Sequence, residues 1–92
     1  MISTMAMENK RYGRDDVVIY TRDLCGYCDA AKHEITQRGW TYTEYNIGDP
    51  ALREELKQKA PDAKTVPQIW VGQNHIGGYD DLMQYFEDTL GW

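Results

Sequence analysis

Val17-Val18-Ile19-Tyr20 is an unbroken apolar, largely β-branched run. Within a few residues it leads into Cys28, Ala31 and Ile35, spaced i, i+3, i+7. The run reads as a strand covered on both faces, and the spacing as one side of a helix that Gly39 ends. Thr41 to Ile47, rich in β-formers, reads as a second strand. A strand, a helix and a strand in that order imply a parallel pair joined by a right-handed crossover, which restricts the chain to α/β architectures.

The remaining segments fit around that unit. Asp49-Pro50 supplies a helix cap followed by proline at the first helical position, and Leu52, Leu56 and Ala60 form the buried stripe of a helix ending before Pro61. Gln68-Ile69-Trp70-Val71-Gly72 reads as a third strand. Gln73-Asn74 turns the chain into a fourth, His75-Ile76-Gly77, antiparallel to it. Asp80 is placed to cap a last helix whose inner face is Leu82, Tyr85, Phe86 and Leu90. The predicted order is β-α-β-α-β-β-α: an α/β fold with a mixed four-stranded sheet flanked by three helices, in one small domain over residues 17–92. Residues 1–16, MISTMAMENKRYGRDD, are expected to form a mobile N-terminal extension. Glu8, Asn9, Lys10 and Arg11 interrupt any apolar core of a secretory signal there, so a cytoplasmic location is expected.

Charge narrows the partners. The formal net charge is −5, no run of Lys and Arg occurs, and no apolar stretch reaches 18 residues. Neither nucleic acid nor a membrane is an expected partner.

Both cysteines lie in Thr21 to Lys32, TRDLCGYCDAAK, where the first strand gives way to the first helix. Three chemistries compete for them. A tetrahedral zinc site needs four ligands, and only His33 and His75 could join. His33 sits about 140° round the helix from Cys28, and His75 lies on a strand with exposed neighbours, so no metal site is expected. A structural disulfide of this spacing would close a tiny loop and crosslink almost nothing. A redox dithiol accounts for the placement. Cys25, at the helix start, meets free backbone N–H groups and the positive end of the helix dipole, which favour the nucleophilic thiolate. Cys28, one turn on and more enclosed, suits the role of resolving thiol. Arg22 supports the thiolate. Asp23 and Asp29 oppose it, and solvent is expected to screen them. Tyr27 either shields one flank and packs on a substrate, or is a plain surface aromatic.

Three stretches, TRDLCGYC, TVPQIWV and HIGGYDDL, occur in the right order and, with the elements, span residues 17–90. In these the sequence resembles the glutaredoxins, specifically the small bacterial and phage-type dithiol glutaredoxins of thioredoxin-like fold, here with CGYC at the active site. The resemblance implies a glutathione-dependent thiol–disulfide oxidoreductase that reduces protein disulfides and glutathione mixed disulfides through Cys25 and Cys28. It implies glutathione as reducing co-substrate, no tightly bound cofactor, a monomer, and protein disulfides as partners, with ribonucleotide reductase a possible acceptor.

It also assigns residues. Thr65-Val66-Pro67 corresponds to the family's cis-proline loop, with Pro67 cis and Val66 pairing its backbone with an extended ligand. Gly77 and Gly78 allow close approach of that ligand. Asp80 and Asp81 correspond to positions that hold the γ-glutamyl end of glutathione, and for Asp80 a capping role stands beside this. Arg22 corresponds to the basic position near the glycine carboxylate, while Lys64 either shares that job or is a solvated surface lysine. Gly26 departs from the family's usual proline. Small residues there sometimes accompany a [2Fe–2S] cluster shared by two protomers, each giving its first cysteine, here Cys25, with two glutathiones completing the ligand set. That carrier role and a thioredoxin-type reductant with a dedicated reductase are the alternatives.

Overall fold

The computed structural model describes residues 13–91. Its elements run β1 (Val17–Thr21), α1 (Gly26–Gln37), β2 (Tyr42–Asn46), α2 (Pro50–Lys59), β3 (Gln68–Val71), β4 (Asn74–Gly77) and α3 (Tyr79–Leu90). The strands form one sheet in the order β2-β1-β3-β4, with β1 and β2 parallel and the other two pairs antiparallel. This is the α/β, thioredoxin-like arrangement expected from the sequence. Element ends differ slightly. Thr41 and Ile47 fall outside β2, and Gly72 leaves β3 to make the turn at φ 61°.

Alternation along β1 decides which helix covers which face. Val17 and Ile19, with Ile69 and Val71 of β3, face α1 and α3. There they meet Ala31, Ile35, Leu82 and Phe86, with Trp40 closing one end. Tyr20 and Trp70 point the other way, under Leu56 and Ala60 at the end of α2. The aromatics meet edge to face: Trp40 on Phe86 at 5.1 Å and Trp70 on Tyr20 at 5.5 Å between ring centroids. The Tyr20 hydroxyl donates to Glu55 at 3.0 Å. Burial, reinforced by that bond, pushes Tyr20 up to about 12, so it remains a protonated donor. No helix among the described residues is long and apolar enough to cross a membrane.

Two expectations meet a different structure. The cap of α3 is Gly78, not Asp80: Gly78 N–H donates to the Asp81 carboxylate at 3.1 Å, and Asp80 sits inside the first turn. The reason is Gly77, whose φ of 117° bends β4 into the helix sooner than the sequence suggests. A Cβ at Gly77 would run into the Asp81 carboxylate, so the bend and the cap both require glycine. The expected extension is the second case. Residues 1–12 of it lie outside the described residues, while Arg14 and Asp16 are tied to the sheet. Thr41 N–H donates to Arg14 O and Gly72 N–H to Asp16 O, each at 2.9 Å. The Arg14 guanidinium bonds Asp16 at 2.7 Å and holds that carboxyl below its ordinary range.

Leu24 is the only non-glycine residue with positive φ among the described residues, at 57°, and its side chain is wholly exposed. A leucine in that region is strained and here has no packing to offset the strain. Leu24→Asn, which tolerates the left-handed region, should raise unfolding free energy by roughly 0.5–1 kcal/mol in urea titrations. Phe86 of α3, fully buried in the cluster with Ala31, Ile35 and Trp40, should behave oppositely. Phe86→Ala should cost about 3–5 kcal/mol in the same assay.

Candidate active site

The apolar run of β1 ends at Thr21, and Arg22 to Leu24 turn the chain outward. Cys25 is then left in extended conformation, φ −117° and ψ 106°, as the cap of α1. Its sulfur accepts the N–H of Cys28 at 3.2 Å and is paired with the Cys28 sulfur as a disulfide, the two Cα atoms 5.2 Å apart. The two residues are unequally covered. Cys28 is 1% exposed and Cys25 6%, and Cys25 is flanked by the wholly exposed Leu24 and the two-thirds exposed Tyr27. The outer sulfur thus sits at the open end of the helix and the inner one beneath it, the geometry an attacking and a resolving thiol need.

The carboxylates that oppose a thiolate have partners of their own. Asp23 accepts from the Asn46 amide at 2.9 Å, which also pins the loop to the end of β2. Asp29 lies 3.7 Å from Lys32 and is largely solvated. Lys32 in turn bonds Glu44 at 3.1 Å, and Glu44 accepts from the Thr21 hydroxyl at 2.7 Å. The Thr21 hydroxyl, with Lys32, holds the Glu44 carboxyl below its usual range, and the Glu44 bond raises Lys32. Both therefore stay charged across the neutral range and clamp the strand end that carries the site.

A second segment closes on the first. The Val66–Pro67 peptide bond is cis, and the Val66 carbonyl oxygen lies 3.8 Å from the Cys25 sulfur. Gln68, which the sequence places only at the start of the third strand, braces this loop. Its amide donates to Thr65 O at 2.9 Å, and its oxygen meets His75 Nε2 at 2.7 Å, with the His75 ring stacked on Trp70 at 4.3 Å. The signal in the sequence was a polar residue opening an otherwise apolar strand. A buried amide there must find partners, and the neighbouring loop carbonyl is one.

Between the two segments lies a cleft of about 490 Å³. Arg22 and Lys64 supply cations, Thr65, Val66 and Pro67 form one wall, and Gly78, Asp80 and Asp81 line it where α3 begins. Tyr27 and Tyr79 stand together on its rim, ring centroids 5.7 Å apart. Of the residues singled out from the sequence for a ligand, all but Gly77 line this cleft, and its Val66 wall reaches Cys25. Tyr79 was missed, because its place depends on the helix beginning at Gly78 rather than at Asp80. Gly78 sits close to the loop: a Cβ there would stand 3.6 Å from the Pro67 carbonyl. His33 and His75 are both exposed, and among the described residues no group of three or more His, Cys, Asp and Glu is gathered as a metal site. Gly26 is the first residue of α1, with open space where a side chain would stand.

Comparison with known proteins agrees with this chemistry. The glutaredoxin family model matches residues 17–76. A glutaredoxin of Pseudomonas aeruginosa is 49% identical over 67 residues, covering 72% of this chain and 79% of its own. Glutaredoxin 3 of Escherichia coli is 43% identical over 77 residues, covering 83% and 89%. Among solved structures, glutaredoxin 1 of Francisella tularensis in complex with cacodylate superposes with a TM-score of 0.68 at 31% identity, covering 83% of this chain and 96% of that one. A buckwheat glutaredoxin–glutathione complex gives 0.69 at 30%, covering 79% and 69%. A Cys-x-x-Cys disulfide at a helix start, the thioredoxin-like sheet and these similarities together place the chain in the glutaredoxin family, and it is a thiol–disulfide oxidoreductase.

Proposed function

We propose that the reductant is glutathione, bound in the cleft beside Cys25, and that the oxidised substrates are protein disulfides and glutathione mixed disulfides. The observation that carries this is the charge layout of the cleft. It offers cations at Arg22 and Lys64, and carboxylates with a helix start at Asp80 and Asp81. Glutathione has carboxylates at both ends and an ammonium at only one. Its glycine end matches the cations. Its γ-glutamyl end matches an aspartate for the ammonium and unpaired N–H groups of the first turn of α3 for the carboxylate. The tripeptide between them is extended, and the Val66 backbone is placed to bond it as an added strand would. A complex with glutathione exists for the buckwheat relative, which supports the same ligand here.

The dithiol then works as follows. Cys25, as thiolate, attacks one sulfur of a protein disulfide; a new S–S bond forms, the old one breaks, and the leaving thiolate takes a proton from solvent. Cys28 attacks Cys25 in that mixed disulfide and releases the second substrate thiol, leaving the Cys25–Cys28 disulfide of the structure. One glutathione thiolate opens that bond at Cys25 and frees Cys28. A second attacks the sulfur of the bound glutathione, releases glutathione disulfide and restores the Cys25 thiolate. Two electrons pass from two glutathiones to one protein disulfide. When the substrate already carries glutathione, Cys25 removes it directly and Cys28 is not needed. The dithiol and the cleft belong to one chain, so the cycle requires no second protomer. The resemblance to the family is what supports ribonucleotide reductase as one proposed acceptor.

The deciding assay couples a small glutathione mixed disulfide to glutathione, glutathione reductase and NADPH, beside a parallel run with thioredoxin reductase as donor. Turnover with thioredoxin reductase alone would overturn the glutathione assignment. Cys28→Ser should retain activity on the mixed disulfide and lose reduction of a protein disulfide, whereas Cys25→Ser should lose both. Arg22→Ala and Asp80→Asn should each raise KM for glutathione by roughly three- to tenfold with little change in melting temperature, because both residues lie in the cleft and outside the core.

A further inference from the structure

Gln68 opens β3 and is 6% exposed. A buried amide in an apolar strand is costly unless both its oxygen and its nitrogen are bonded, and an aliphatic side chain would fill the place without that demand. Its partners lie on either side of it. The amide donates to Thr65 O at 2.9 Å, and His75 Nε2 stands 2.7 Å from the amide oxygen. Thr65 O can only accept, so the Gln68 nitrogen must face it. The oxygen then faces His75, and His75 Nε2 must carry a proton. The neutral ring in that tautomer and the imidazolium donate there alike.

The sheet sets up this contact. The β3–β4 pairing steps from Ile69–Gly77 to Trp70–His75 and passes over Ile76, a bulge that puts His75 opposite Trp70. Gln68 lies two residues before Trp70 and shares its face of the strand. The His75 ring lies on Trp70, centroids 4.3 Å and planes 16° apart, and the buried Trp70 ring is itself set edge-on against Tyr20. With His75 so held, the Gln68 amide has one workable orientation. Reversed, its oxygen would meet the Thr65 oxygen, and two acceptors repel.

The effect reaches the site through one peptide plane. The Thr65 carbonyl and the Val66 N–H belong to the same peptide unit, which is planar and trans; the cis bond is the next one, Val66–Pro67. In a trans unit the two groups point in opposite directions. Holding the carbonyl toward Gln68 therefore turns the Val66 N–H away from it. A bonded carbonyl also polarises its own amide and makes that N–H a stronger donor. Pro67 has no N–H to offer, and Thr65 and Val66 both line the cleft, with Val66 O 3.8 Å from the Cys25 sulfur.

We infer that His75 and Gln68 are positioning residues for the thiol–disulfide reaction: they hold the Thr65–Val66 peptide with its carbonyl inward, and so present the Val66 N–H to the extended ligand beside Cys25. Neither residue lines the cleft, so both act through Thr65. The inference rests on the reading of the cleft as the glutathione site.

The test measures turnover of a small glutathione mixed disulfide with glutathione, glutathione reductase and NADPH. It also follows backbone amides by NMR as S-methylglutathione, which cannot exchange with a disulfide, is added to the oxidised full chain. His75 is exposed, and His75→Phe keeps a ring for Trp70 while removing the donor. It should raise KM for glutathione about threefold, with kcat within about twofold of wild type and melting temperature nearly unchanged. Gln68→Glu sets a second acceptor against Thr65 O and should raise KM about tenfold. Gln68→Met, which buries no charge, should move KM the same way and decides the matter if the glutamate variant does not fold. In wild type the Val66 amide proton should move downfield and exchange more slowly with the ligand present. In the variants both responses should shrink, while the amides of Asp80 and Asp81 keep theirs. Unchanged KM in His75→Phe, or losses of kcat and melting temperature that accompany the rise in KM in both His75→Phe and Gln68→Met, would leave a structural role only and overturn the inference. So would a wild-type Val66 amide that ignores the ligand while Asp80 and Asp81 respond. No response from any cleft amide, with no turnover on glutathione, would instead overturn the reading of the cleft.

Discussion

The site depends on the anchoring of one helix end. The first turn of α1 has N–H groups that no residue of the helix itself can satisfy, and one of them points at the Cys25 sulfur. That arrangement persists only if the turn cannot slide or fray. The helix is held from below by Cys28, Ala31 and Ile35 in the core and from its entrance by the end of β1. The strand end is fixed in turn by the Thr21–Glu44–Lys32 chain and by the bond between Asn46 and Asp23. A parallel β1–β2 pair is what brings Glu44 and Asn46 to that end. The crossover connection that defines the fold is therefore also what fixes the nucleophile.

Much of this was legible in the sequence because local signals agreed. The β-branched run, the helical stripe and the Asp49-Pro50 cap each announce an element, and short connections leave few ways to join them. The cysteine pair was legible as redox chemistry because the two alternatives fail on counting: too few ligands for zinc, too small a loop for a staple. The positions assigned to glutathione came from resemblance alone, and the structure brings Arg22, Lys64, Val66 and Asp81 to one cleft.

What was not legible depends on pairs of residues far apart. The start of α3 was misplaced by two positions because Asp80 is as good a cap as Gly78 by residue type. The choice is made by the bend at Gly77 and by the space its missing side chain leaves for Asp81. Gln68 could not be recognised as a brace because its partners, Thr65 and His75, belong to a loop and to the next strand. The hollow on the α2 side of the Thr65–Val66 loop, lined by four cations, was invisible for the same reason. Arg22, Arg53, Lys57 and Lys64 are scattered along 43 positions, from 22 to 64, and only the fold assembles them. The N-terminal residues show a converse effect: Arg14 and Asp16 look like tail in the sequence and are built into the sheet margin.

The strand order has one more consequence. In β2-β1-β3-β4 the outer strands are the ones that could recruit a foreign chain by continuing the sheet. Here β2 carries Glu44 in an ion pair, and β4 is four residues long with a glycine bend at its close. Short, charged or kinked margins discourage lateral growth into aggregates. Under the proposed function, strand-like pairing with a ligand is confined to the loop at Val66 and is not offered by the margins of the sheet.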